Sequence, residues 1–185
     1  MRSVIQFEKI LEEFSSSEHF VYSKADLRNL LPAISDSNLN MILSRCVSHV
    51  IFDRVCKGIY SFNKAKAEKS RVLYKTATKL RAGCMNYISL ETVLCENSII
   101  SQQMPSYLTV MTTGRSGTIN CGNFGTIEFV HTAKDFTKIS ENLFIDSKAK
   151  MLKANPIQAY TDIVDAKRTT LDLINKTEMK ELFYE

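Results

Sequence analysis

Apolar residues at Val4, Phe7, Ile10, Leu11 and Phe14 recur with helical spacing until Ser15-Ser16-Ser17 interrupts them, which predicts a first amphipathic helix. Ser23 stands where an N-cap belongs, ahead of a short second helix carrying Ala25, Leu27, Leu30 and Leu31. Pro32 ends that helix, because proline disfavours helical geometry in the residue before it. Ser35 or Asp36 caps a third helix, in which Leu39, Ile42, Leu43, Cys46, Val47 and Val50 fall on one buried stripe. Its opposite face presents Ser37, Asn38, Asn40, Met41, Ser44, Arg45 and Ser48, mostly hydrogen-bonding side chains in place of the usual Glu and Lys mixture. Two β-branched and aromatic runs then meet at Gly58 in V-I-F-D-R-V-C-K-G-I-Y-S-F-N, Val50 to Asn63, and predict a hairpin with Ile51, Val55, Ile59 and Tyr60 toward the core.

Residues 64–82 place Val72, Leu73, Thr76 and Leu80 on one helical face and stop at Gly83 as a C-cap would. Beyond Gly83 the texture changes. N-Y-I-S-L-E-T-V-L predicts a strand ending at Ser89, which caps a helix from Leu90 to about Asn97, with Ile99 and Ile100 extended. Tyr107 to Thr113, Thr118 to Cys121 and Thr126 to His131 read as strands joined by G-R-S-G and G-N-F-G hairpin turns. Asn155 and Pro156 fit N-cap and N1 of a helix with Ile157, Tyr160, Ile163 and Val164 inside. Leu171, Leu173, Ile174, Met179, Leu182 and Phe183 suggest a last helix. The pattern predicts an α+β chain in three parts: a winged helix-turn-helix over 1–65, a connecting helix over 66–84, and a mixed α+β domain over 85–185. Three short helices followed by a hairpin is the winged-helix order, in which the third helix enters the major groove of DNA.

Composition narrows the function classes. The 185 residues are 44% apolar and 24% charged, an ordinary globular balance that predicts folding throughout. No apolar run approaches the roughly 20 residues of a membrane span and the N-terminus lacks a signal peptide's apolar stretch, so a cytoplasmic location without membrane association is expected. Five singly scattered cysteines, Cys46, Cys56, Cys84, Cys95 and Cys121, argue for reduced thiols over a disulfide framework. The net charge of +4 is uneven: residues 1–65 carry eight basic and seven acidic side chains, whereas residues 66–84 carry six and one. That basic connecting helix either contacts phosphate or serves as a solvated face.

Candidate chemistry is sparse. Gly114, Gly117, Gly122 and Gly125 match neither a P-loop nor a dinucleotide-binding fingerprint, so turns account for them. Cys46 and His49 sit three apart without a second ligand pair, and His131 has no orienting partner in sequence. No catalytic residue, metal ligand or cofactor is therefore expected. DNA is the better-supported partner. Asn38 and Asn40 can pair with adenine, Met41 can touch a thymine methyl, and Arg45 can reach guanine or phosphate, with Ser37 and Ser44 on the same face; an A·T-leaning site follows. Arg54 and Lys57 on the wing, with Arg28 and the connecting helix, would supply phosphate contacts. The low charge of the first 65 residues implies that tight binding needs the connecting helix or two copies of the chain, a dimer on DNA.

S-K-A-D-L-R-N-L, the wing D-R-V-C-K-G-I-Y-S-F, and then N-Y-I-S-L-E-T-V-L, F-G-T-I-E-F-V-H and A-N-P-I-Q-A-Y-T-D-I-V together resemble the AbiEi family of type IV toxin-antitoxin antitoxins, over about Ser3 to Val164. The resemblance implies an N-terminal winged helix joined to a C-terminal antitoxin domain. It implies a repressor that binds operator DNA at its own promoter and counters a nucleotidyltransferase toxin, directly or indirectly. Asp36 to His49 match the DNA-reading helix and Val50 to Phe62 the wing. The chain departs from the pattern in the single arginine on the exposed face of that helix, and in ending sooner than many relatives. Two rivals stand beside this reading: a stand-alone winged-helix transcriptional regulator with a sensing or protein-interaction domain, and an enzyme or interaction module whose winged helix binds protein.

Overall fold

The computed structural model describes residues 2–100 and 106–174 and shows a mixed α+β chain. It divides into two compact units, Met1–Leu80 with Gly122–Phe124, and Arg81–Cys121 with Gly125–Glu185. Among the described residues no helix is long and apolar enough to cross a membrane.

In the first unit, α1 (Arg2–Phe14) buries Val4, Phe7 and Leu11, one turn or two apart on its inner face. The strand β1 (Val21–Ser23) follows, an element the periodicity does not predict because three residues are too few to show alternation. Ser23 then opens α2 (Lys24–Leu30) through a capping box: the Asp26 N–H donates to Ser23 Oγ at 3.1 Å, and the Ser23 N–H donates to Asp26 Oδ2 at 2.8 Å. Ser35, of the two candidates, caps α3 (Asp36–Ser48) by accepting from the Asn38 N–H at 3.3 Å. Leu39, Ile42, Leu43 and Cys46 are buried there as expected. The stripe stops at that point: Val47 is half-buried, and Val50, expected inside, is 69% exposed with φ 57° in the turn that ends the helix.

The hairpin forms from β2 (Phe52–Cys56) and β3 (Ile59–Phe62) around Gly58, whose φ of 78° is the left-handed conformation the tight return requires. Ile51, Val55 and Ile59 are buried and Tyr60 half-buried. With β1 they make a three-stranded antiparallel sheet, ordered β1-β3-β2, over a core that includes Phe7, Leu27, Leu39, Leu43 and Phe52. The helix expected over 64–82 is shorter: a 3-10 turn at Lys69–Arg71 leads into α4 (Val72–Leu80), which belongs to this first unit.

The second unit is built on a six-stranded mixed sheet of β4 (Asn86–Ile88), β5 (Tyr107–Thr112), β6 (Gly117–Asn120), β7 (Thr126–His131), β8 (Leu143–Ile145) and β9 (Leu152–Ala154). The order is β6-β7-β5-β4-β9-β8, with β5–β7 and β4–β9 parallel. G-R-S-G therefore does not close a hairpin, since β7 lies between β5 and β6; the G-N-F-G segment does join paired antiparallel strands. Leu108 through Thr112 are all buried, as a strand covered on both faces requires.

Among the described residues three helices accompany the sheet: α5 (Glu91–Glu96), α6 (Phe136–Ile139) and α7 (Pro156–Asp165). Ser89 does not cap α5; Leu90 is the cap residue, with φ 58° and no side-chain cap bond. Asn155 does cap α7 by accepting from the Gln158 N–H at 2.8 Å, with Pro156 at its start. Its buried face differs from expectation: Gln158, Ala159, Asp162 and Ile163 are inside, Ile157 and Tyr160 half-buried, and Val164 exposed. The proposed last helix is a 3-10 turn over Thr169–Leu173, and its remaining positions, Met179, Leu182 and Phe183, lie outside the described residues.

Candidate nucleic-acid interface

α3 presents Ser37, Asn38, Asn40, Met41, Ser44 and Arg45 to solvent, opposite its buried Leu39, Ile42, Leu43 and Cys46. Among the described residues the side chains of Asn38, Asn40 and Arg45 make no hydrogen bond or ion pair, so their donors and acceptors are available to a ligand. Two amides, two hydroxyls, a thioether and a guanidinium on one helix face can read base edges through paired hydrogen bonds and apolar contact. The hairpin carries Arg54 on β2 and Lys57 beside Gly58, both exposed and, among the described residues, without an ion pair.

Arg28 is placed differently. It is half-buried, its Nη1 donates to the Ile34 carbonyl, and its Nε lies 3.3 Å from Asp36. It fastens the turn between α2 and α3, and a phosphate would have to draw it away from both partners.

Lys64 and half of the basic segment that follows it are also engaged. Lys64 bridges Glu8 at 2.8 Å and Glu12 at 2.9 Å, which raises its pKa. Arg71 and Lys75 converge on Glu18 at 2.5 and 3.1 Å, and Lys79 meets Asp26 at 2.8 Å. Hydrogen bonds from Arg71 and Lys75 hold the Glu18 carboxyl at about 2, well below the ordinary range. Half of the six basic residues in 66–84 are thus occupied by carboxylates of the first unit, and the segment attaches α4 to that unit. Lys66 and Lys69 remain exposed.

The second unit holds a polar cluster that sequence reasoning missed. Asp162 on α7 is fully buried; its Oδ2 accepts from Ser89 Oγ at 2.6 Å, and its Oδ1 accepts from Gln158 Nε2 at 2.8 Å and Lys134 Nζ at 2.7 Å. Burial disfavours the Lys134 ammonium, but its hydrogen bonds to Asp162 and Asp165 outweigh that and raise its pKa. In a second group, Arg168 donates from Nη1 and Nη2 to the two oxygens of Glu128 at 2.6 and 2.8 Å and from Nε to Glu91 at 2.7 Å. Burial would raise the Glu128 carboxyl, yet Arg168 and the Tyr107 hydroxyl hold it below its ordinary value.

Ser89 and Asp162 share no local spacing; 73 residues separate them, and each reads in sequence as a cap or a surface carboxylate. Ser89 and Asp162 are both sealed from solvent, and their hydrogen bond ties the segment between β4 and α5 to α7.

His131 is exposed and its Nδ1 lies 2.8 Å from the Gly114 carbonyl, which makes it a loop fastener. Cys46 is buried while His49, three residues on, is exposed. Among the described residues no three His, Cys, Asp or Glu side chains converge as a metal site. No protein-family model matches the chain, and no curated protein matches it either.

Proposed function

We propose that the chain is an antitoxin-type repressor whose first unit is a winged helix-turn-helix. α3 reads operator DNA in the major groove, the β2–β3 hairpin is the wing, and the second unit counters a nucleotidyltransferase toxin. The observation that carries the DNA half is the coincidence, among the described residues, of an unengaged Asn38, Asn40 and Arg45 face on α3 with unpaired Arg54 and Lys57 on the hairpin that follows it. The element order α1-β1-α2-α3-β2-β3 supports the same reading. The toxin half rests on the resemblance carried by N-Y-I-S-L-E-T-V-L, F-G-T-I-E-F-V-H and A-N-P-I-Q-A-Y-T-D-I-V.

A gel shift with the upstream intergenic DNA tests the first half. With Arg54 and Lys57 each neutralising a phosphate, affinity falls about 20-fold between about 50 and 250 mM salt. Weak binding that does not respond to salt overturns it. Co-expression with the adjacent nucleotidyltransferase gene tests the second half: growth resumes if the chain is the antitoxin, and arrest in the presence of stable protein overturns that role. Operator binding without growth rescue leaves the stand-alone regulator.

A further inference from the structure

β8 (Leu143–Ile145) is one outer edge of the six-stranded sheet, and its L-F-I sequence holds no charge, proline or glycine. Phe144 is 48% exposed and Ile145 73% exposed. The opposite edge, β6, reads Gly117-Thr118-Ile119-Asn120 and is mostly polar. Edge strands usually carry a charge or a proline that blocks pairing with another chain, and β8 lacks both.

The backbone of β8 is set up to pair. The Asn155 N–H donates to the Asn142 carbonyl at 2.8 Å and the Asp146 N–H to the Met151 carbonyl at 3.0 Å. In an antiparallel ladder that alternation turns the Phe144 backbone toward Lys153 of β9 and the backbones of Leu143 and Ile145 outward. The Leu143 N–H is taken by the Ser140 carbonyl. The Leu143 carbonyl and the Ile145 N–H are left facing out.

We propose that β8 pairs antiparallel with β8 of a second copy of this chain about a two-fold axis through Phe144. The Ile145 N–H of each copy then donates to the Leu143 carbonyl of the other, and the two Phe144 rings meet on one face of the joined sheet. Charge selects this arrangement. Ahead of the strand lie Asp135, Lys138 and Glu141; after it lie Asp146, Lys148 and Lys150. Lys138, Glu141, Lys148 and Lys150 are exposed and make no ion pair among the described residues, whereas Asp146 is occupied by Lys153 and the backbone of its own turn. Antiparallel pairing sets Glu141 of each copy beside Lys148 of the other, twice by symmetry; a parallel pairing sets Glu141 beside Glu141 and Lys148 beside Lys148.

Three residues a side is a small contact, so the association is weak, with a dissociation constant on the order of 100 µM. It is read without DNA, so failure of operator binding leaves it untouched. Sedimentation equilibrium of the full chain, from about 5 to 500 µM, is expected to show a reversible dimer. Ile145→Lys and Glu141→Lys each weaken it at least about tenfold, and Glu141→Lys with Lys148→Glu restores it. These positions are exposed, so thermal unfolding stays unchanged; should Ile145→Lys unfold, the charge-reversal pair carries the test. In the unaltered chain, amide exchange at Ile145 slows as concentration rises. A monomer at the highest concentration overturns the proposal. So does a dimer indifferent to these substitutions, or one in which Ile145 exchanges equally fast at both ends of the range.

Discussion

Arg71 Nη2 lies 2.5 Å from Glu18 Oε2, tying the 3-10 turn before α4 to the loop after α1 across 53 residues of chain. Lys75 reaches the same oxygen at 3.1 Å. The guanidinium is nearly buried and also donates to the Ser17 carbonyl at 3.1 Å, so this contact anchors the basic segment to the first unit.

Part of the pH dependence of the first unit follows from that pair. The Glu18 carboxyl, with an ordinary value of 4.5, is lowered to about 2 in the folded chain, so its contribution is complete above pH 4.5 and is lost as pH falls toward 2. Acid unfolding followed by circular dichroism should therefore shift to higher pH in Arg71→Ala, and Glu18→Gln should remove the part of the pH dependence in this window. An unchanged acid midpoint in both variants contradicts the assignment.

Under the proposed DNA-binding role, base-reading contacts on α3 and phosphate contacts on the β2–β3 hairpin separate by mutation. Arg45→Ala costs about 1–3 kcal/mol on the preferred operator and relaxes preference among sequences. Lys57→Ala weakens all sequences about equally and lowers the salt slope by about one. Competition gel shifts at several salt concentrations check both, and identical behaviour of the two variants contradicts the division.

Asp162 and Asp165 both meet Lys134 at 2.7 Å, but the first is buried with three partners and the second is half-exposed. Asp162→Ala leaves the Ser89 hydroxyl, the Gln158 amide and Lys134 short of an acceptor, and lowers stability by about 3 kcal/mol. Asp165→Ala costs under about 1 kcal/mol. Urea unfolding of the two variants measures the contrast, and equal losses refute it.

Val50 is a solvent-exposed β-branched residue at φ 57°, a backbone conformation that asparagine tolerates better. Val50→Asn should raise stability by about 1 kcal/mol, since little apolar burial is lost. A lower thermal midpoint counts against this.

Local chemistry was legible in the chain where neighbours a few residues apart decide the outcome. Ser23, Ser35 and Asn155 cap the helices expected of them because a cap bond spans three residues. Gly58 turns its hairpin because only its own backbone must reach a positive φ. The exposed face of α3 was equally readable, since a buried stripe of Leu39, Ile42, Leu43 and Cys46 automatically leaves Asn38, Asn40, Met41 and Arg45 outside.

What the tertiary structure decided lies at longer range. Strand β1 exists because it pairs with β3, with Val21 opposite Ser61, and three residues carry no such signal alone. Ser89 left its expected cap position for Asp162, and Arg71, Lys75 and Lys79 turned to Glu18 and Asp26 instead of leaving a free basic face. The insertion of β7 between β5 and β6 likewise could not be read from the turns. Sequence spacing determines which residues share a face of one element; which faces and charges then meet depends on how the whole chain satisfies its buried polar groups and closes its core.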